Sequence, residues 1–161
     1  MKQPTPYFIE PTLVERAVNR AYGWLTTLGI VPSYSWLLLS RGRATGVVHS
    51  TPVNILAYDG KFYLVGTRGH TQWSRNAAVA GELTLKRRRK QITCRVFAVP
   101  QERKAELLKA YLTRFNWMVR RFFPVQSEAP VAAFAAVAAR YPVFELLAPG
   151  LQSDFFSGVR E

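Results

Sequence analysis

Apolar side chains recur at helical spacing over residues 11–28. Leu13, Val14, Ala17, Ala21, Trp24, Leu25 and Leu28 are interleaved with Glu15, Arg16, Asn19 and Arg20, the pattern of an amphipathic helix. Thr12, with Glu15 three residues later, supplies a capping-box pair at its start. Gly29 and Pro32 are stop signals. The pattern then shortens. Residues 36–39 form a brief apolar run between turn residues and predict a strand. Residues 41–46 hold two glycines and a threonine and predict a turn. Residues 47–58 predict a second strand, and Asp59-Gly60 is a two-residue hairpin signal. The return strand spans 61–67, where Phe62, Leu64 and Gly66 alternate with Tyr63 and Val65. A polar turn at 68–72 leads into a short helix over 73–80 that Gly81 ends. Residues 82–87 and 91–100 predict two strands joined at Arg88-Arg89-Lys90. A long helix over 102–121 carries Leu107, Leu108, Tyr111, Leu112, Phe115, Met118 and Val119 on one side. A further helix over 128–140 and a strand over 143–147 complete the chain. Six or seven short strands with separate helices predict a small antiparallel barrel of the α+β class. With no internal repeat or low-complexity linker, one compact domain is expected. Its residues 1–34 form a helical segment packed on the barrel, and 35–161 form the barrel with its C-terminal helices.

Composition narrows the chemistry. At 161 residues and 48% hydrophobic, the chain is large and apolar enough for a core without disulfide staples, which excludes intrinsic disorder. The single cysteine, Cys94, excludes an internal disulfide framework and a cysteine-based metal site. His49 and His70 are too few for a histidine-rich metal site. A net charge of +12, mostly from arginine, implies an anionic partner: nucleic acid, a membrane surface or a multiply charged small molecule. The longest apolar runs are too short to span a bilayer, and the first eleven residues lack a secretory pattern, so the cytoplasm is the expected compartment.

Three segments are candidates for the anion site. In the first, over residues 40–52, Arg41, Arg43, Thr45 and Gly46 form a glycine-bearing turn, followed by His49, Ser50, Thr51 and Pro52. Backbone N–H groups and flanking side chains of such a turn suit a phosphate, and a plain hairpin turn with solvated arginines is the alternative. In the second, Thr67, Arg68 and Gly69 end a strand and lead to Trp73, Arg75 and Asn76 on a helix start. A helix N-terminus favours an anion, whereas Trp73 by itself reads as core. The third, residues 86–90, holds five consecutive basic side chains. It reads first as a solvated hairpin tip and only second as a nucleic-acid patch. The amphipathic first helix suits a membrane surface, but covering the barrel is its commoner fate. No nucleophile elbow or paired carboxylates are visible, so an enzyme on this chain would take its reactivity from a cofactor.

The ordered set Leu37-Leu38-Leu39, Gly42-Arg43-x-Thr45-Gly46, Ser50-Thr51-Pro52-Val53-Asn54, Asp59-Gly60-x-x-Tyr63-Leu64-Val65, Arg68-Gly69 and Trp73-x-Arg75-Asn76 resembles the deazaflavin-dependent nitroreductase family. Gly81-Glu82-x-x-Leu85, the basic hairpin and Tyr141-Pro142-Val143-Phe144 extend the likeness over about residues 35–149. The resemblance implies a split β-barrel of the flavin-reductase and pyridoxamine-oxidase type. It also implies the reduced deazaflavin coenzyme F-420 as hydride donor to a small organic acceptor: a nitroaromatic, quinone or activated alkene. By resemblance, Arg43, Thr45 and Gly46 match the family's loop for the coenzyme's phosphate and acidic tail, with Ala44 where a basic residue is common and Arg41 nearby. His49, Thr51, Pro52 and Asn54 match the strand beside the ring, and Thr67, Arg68 and Gly69 match a second glycine turn. Trp73, Arg75 and Asn76 match the following helix, and no catalytic side chain is implied. Flavin mononucleotide on the same barrel is the alternative cofactor, and a basic nucleic-acid-binding protein is the alternative of another class. A homodimer enters by analogy with other split barrels.

Overall fold

The structure, a computed structural model, describes residues 7–28, 32–42 and 44–152. Six strands close into a barrel: β1 (Ser35–Arg41), β2 (Val48–Tyr58), β3 (Lys61–Val65), β4 (Glu82–Arg87), β5 (Lys90–Ala98) and β6 (Val143–Leu147). Their order around the barrel is β1-β2-β3-β6-β5-β4, and every neighbouring pair is antiparallel. The helices are α1 (Leu13–Leu28), α2 (Gln72–Ala80), α3 (Gln101–Val119) and α4 (Val131–Val137). This is an α+β fold built on an antiparallel barrel, as the strand pattern predicts.

Local chemistry sets the corners. Asp59 and Gly60 both take positive φ, 48° and 72°, the backbone that a tight hairpin between right-twisted strands requires. Gly81 ends α2 in the left-handed region with φ 69°. Two apolar cores result. Trp36, Leu38, Ile55, Leu64, Leu85 and Cys94 fill the barrel. Leu56, Tyr63, Leu108, Tyr111, Phe134 and Tyr141 pack between its outer face and α3 and α4. β3 therefore buries both faces: Phe62 and Leu64 point into the barrel while Tyr63 and Val65 meet the helices.

Two helices depart from the sequence pattern. The helix predicted over 128–140 shrinks to α4 and a 3₁₀ turn at Ala138–Arg140. Pro130 stands before α4 with extended ψ of 156°, and a proline disfavours helical backbone at the residue preceding it. The second departure is the orientation of α1. Its capping box forms as expected, with the Thr12 N–H donating to Glu15 Oε2 at 2.7 Å and the Glu15 N–H to Thr12 Oγ1 at 3.2 Å. The helix does lie on the barrel, but not through its apolar side. Gly23 is buried, and a Cβ there would come within 3.2 Å of Leu37 Cδ2; Tyr22 Oη shares a hydrogen bond with Ser35 Oγ at 2.8 Å. The narrow side of α1 allows this close approach, and the bulky apolar side faces outward.

Candidate functional site

A cleft of about 1660 Å³ opens between α1, the first half of β2, the turn after β3, and the end of α3 with the loop that follows it. Its walls include His49, Thr51, Pro52, Asn54, Thr67, Arg68, Trp73 and Asn76. Two separate sequence segments chosen for anion binding thus share one cavity. Arg41, Thr45, Gly46, Gly69 and Arg75 stand outside the lining, and Arg43 lies outside the described residues.

The two glycine turns spend their backbone donors internally. In the first, the Gly42 N–H donates to Val47 O and the Gly46 N–H to Gly42 O, both at 2.8 Å. The Val47 N–H reaches Thr45 Oγ1 at 3.3 Å, and Arg41 Nη1 reaches Gly46 O at 3.3 Å. Gly46 takes φ of 68° to close this turn. In the second, the Gly69 N–H donates to Gly66 O and the Thr71 N–H to Gly69 O, both at 3.0 Å. Residues 7–9 lie across this turn: the His70 N–H donates to Tyr7 O, and the Ile9 N–H to Arg68 O, both at 2.8 Å.

Arg68 is held on three sides. Nη2 pairs with Glu15 Oε1 at 3.3 Å, Nη1 donates to Ile9 O at 3.5 Å, and the guanidinium lies 4.6 Å from the centroid of the Phe122 ring. Arg121 Nη1 shares the same Glu15 oxygen at 3.1 Å. The Thr12 N–H is the main cause that holds the Glu15 carboxyl below its usual range, and Arg68 adds to it. On α2, Thr71 caps the helix by accepting from the Ser74 N–H at 3.4 Å, and Arg75 Nε donates to Thr71 O at 3.4 Å. Trp73 is 8% exposed and tilts against Phe144 within the barrel.

A polar chain forms the floor. Ser35 Oγ donates to Asn54 Oδ1 at 3.1 Å and also meets Tyr22 Oη. Asn54 Nδ2 reaches Met118 Sδ at 3.8 Å, a weak acceptor. Burial pushes the Tyr111 phenol far above its ordinary value, and a hydrogen bond with Asn54 opposes that shift. Asn76 Nδ2 donates to Arg41 O at 3.2 Å. Its Oδ1 is buried with no partner among the described residues, an acceptor that calls for a donor from a water or a ligand.

The cleft also holds side chains that the sequence reading passed over. Arg16, Asn19, Arg20 and Tyr22 come from α1, and Trp117, Arg120 and Phe122 come from the end of α3 and its following turn. The i, i+4 spacing of Arg16 and Arg20 was legible, but a helix whose apolar side faces the barrel turns those arginines to solvent. The reversed orientation of α1 turns them into the cleft.

Six-stranded antiparallel barrel, flanking helices and a lateral cleft define the class of this fold. Solved structures similar to the chain include one described as a domain-swapped dimer, at 18% identity and TM-score 0.48, covering 83% of this chain and 96% of that one. A second is an F-420-H2-dependent reductase, at 16% identity and TM-score 0.46, covering 73% and 96%. A third is an FAD-binding protein from Mesorhizobium loti, at 10% identity and TM-score 0.47, covering 78% and 88%. No protein-family model and no curated protein matches the chain.

Proposed function

We propose that the cleft binds the reduced deazaflavin coenzyme F-420 and that the protein is an oxidoreductase passing hydride to a small organic acceptor, such as a nitroaromatic, a quinone or an activated alkene. The observation that carries this reading is the composition of the cleft. Apolar and aromatic walls at Pro52, Met118, Trp117 and Phe122 adjoin the cations Arg16, Arg20 and Arg120 in one open cleft. Its volume of about 1660 Å³ exceeds the roughly 300–1,000 Å³ of an ordinary small-molecule pocket, which gives room in bulk for a large cofactor. The coenzyme implied by the sequence resemblance has matching parts, a flat ring and an anionic tail. The buried Asn76 Oδ1 offers a polar contact to the ring end.

When bound, the coenzyme supplies the hydride. The chain's own residues position and exclude. Pro52 adds no N–H to the strand edge beside the ring, the half-buried Met118 adds apolar surface there, and the arginines hold the tail by charge-assisted hydrogen bonds. Binding and orientation are sufficient roles for a protein whose cofactor carries the reaction.

The test is a tryptophan-fluorescence titration with the oxidised coenzyme, run beside flavin mononucleotide and a short DNA duplex. Trp24 and Trp117 line the cleft and report on it. Saturable deazaflavin binding is expected, weakened about tenfold or more by Arg16→Ala with Arg120→Ala, one from each wall. Binding of flavin mononucleotide alone would keep the barrel and change the cofactor. Binding of DNA alone, falling steeply with salt, would replace this reading with a nucleic-acid role for the basic surface.

A further inference from the structure

Much of the apolar side of α1 points away from the protein, with Val18 and Trp24 also lining the cleft. Leu13, Val14, Val18, Trp24, Leu25 and Leu28 expose 82, 73, 59, 67, 37 and 50% of their surfaces. At 3.6 residues per turn, these six and the alanines between them occupy an arc of about 140°. A helix of a globular protein turns such a stripe inward, and a contiguous apolar patch left outside marks an interaction surface.

The surroundings of the stripe are basic. Arg16 and Arg20 run along its border on the cleft side, one turn apart. Near the other border Glu15, the one acidic residue of α1, is bound by Arg68 and by Arg121. α1 also touches β4, and the hairpin joining β4 to β5 presents exposed Arg88, Arg89 and Lys90. The five-charge run that the site does not use thus begins at the end of β4, a strand that α1 touches, and continues through the turn into β5. Among the described residues no helix is long and apolar enough to cross a membrane.

We propose that α1 lies flat on an anionic lipid surface, with its apolar stripe in the acyl boundary and the flanking arginines among the headgroups. This is the arrangement of an interfacial amphipathic helix with basic flanks, and Trp24 has the amphipathic ring that prefers the interface. Charge selects lipid over a second copy of the chain. Each copy carries +12, so stripe-on-stripe pairing would bring arginine borders together, whereas anionic headgroups supply the opposite sign. The sequence pattern set the membrane aside because the barrel was expected to cover the stripe; its outward orientation removes that objection. The inference does not rest on the cofactor reading: Val18, Trp24, Arg16 and Arg20 also line the cleft, but Leu13, Val14, Leu25 and Leu28 do not, and the test uses residues of that second set.

The test is co-sedimentation of the full chain with vesicles of phosphatidylcholine alone and of phosphatidylcholine mixed with phosphatidylglycerol. Binding to the mixed vesicles is expected to be about tenfold or more stronger than to the neutral ones and to fall with added salt. Tryptophan emission should shift to the blue on binding. Leu13→Glu with Val14→Glu should lower binding to the mixed vesicles about tenfold or more and leave circular dichroism and melting unchanged, because both side chains are largely exposed. Equal binding to both vesicle types would overturn the role given to charge, and undiminished binding by the double variant would overturn the role given to α1. A dimer of the parent chain that the same substitutions dissociate, without vesicle binding, would assign the stripe to a second copy and overturn the proposal.

Discussion

Asn54→Ala is expected to destabilise the protein by about 2–4 kcal/mol, and most of that cost should come from one orphaned partner. Asn54 is 9% exposed and Ser35 is fully buried. Ser35 Oγ loses its bond to Asn54 Oδ1 but keeps Tyr22 at 2.8 Å, a loss of about 1 kcal/mol. The Tyr111 phenol, 3% exposed, loses its hydrogen bond with Asn54 and is left buried, at about 1–3 kcal/mol. The Met118 contact at 3.8 Å adds little, because a thioether is a weak acceptor. Tyr111→Phe alone strands the Asn54 amide and should cost about 1–2 kcal/mol. In the double variant neither partner is stranded, so its cost should fall short of the sum by about 1–2 kcal/mol. Urea unfolding of the four proteins, followed by tryptophan fluorescence, measures each value, with equal m-values as the check that one transition is being compared. Costs that add within about 0.5 kcal/mol would refute a coupled polar floor. The double variant is also informative for binding, since it removes both floor residues at about the cost of Asn54→Ala alone.

Three other outcomes are expected. Gly69→Ala places a Cβ 2.0 Å from Tyr7 O at φ of 87°, so residues 7–9 must leave the turn. Left-handed strain and two lost backbone bonds cost about 3 kcal/mol together, and the His70 and Ile9 amides, which make those bonds, should exchange rapidly; retained protection of both would contradict the close approach. Burial pushes the Cys94 thiol up to about 11, so it stays protonated at neutral and mildly alkaline pH and iodoacetamide should label it only on unfolding. Labelling of the native protein at the rate of a free thiol would show the barrel interior to be open. Glu15→Gln should lower the melting temperature above about pH 4.5, the carboxyl's ordinary value. A carboxyl held below that value stabilises the fold where it is ionised, and the contribution fades as pH falls through its lowered folded value. Melting curves of both proteins against pH should therefore converge in acid, and a constant difference would rule out the Arg68 and Arg121 pairing as its source.

Much of the architecture follows from local chemistry. The Asp59-Gly60 hairpin, the Gly81 stop and the Thr12–Glu15 capping box form because backbone sterics and short-range hydrogen bonds act over a few residues. The strands were legible for the same reason, with one exception in kind. β3 buries both faces, so its alternation predicts a strand but not the second core behind it. Closure of the barrel also pairs β3 with β6, far apart in the chain, and no local pattern states that register.

The candidate site divides in the same way. Residue types suited to an anion were visible at His49, Thr51, Thr67, Arg68 and Asn76, because glycine turns and strand ends mark themselves in the sequence, whereas a flat ring beside Pro52 and Asn54 was implied only by the family resemblance. Which donors are already taken was not visible. The N–H groups of Gly42, Gly46, Gly69 and His70 close turns or hold residues 7–9, and Arg68 is engaged by a glutamate more than fifty positions away. The periodicity of α1 established an amphipathic helix and nothing about which side meets the barrel. That was decided by packing: Gly23 permits the close approach to Leu37, and Tyr22 bonds to Ser35. The same packing turns Arg16 and Arg20 into the cleft and leaves Leu13, Val14, Leu25 and Leu28 exposed outside it. A sequence states what each face of a helix is made of; only long-range shape complementarity determines where each face is pointed.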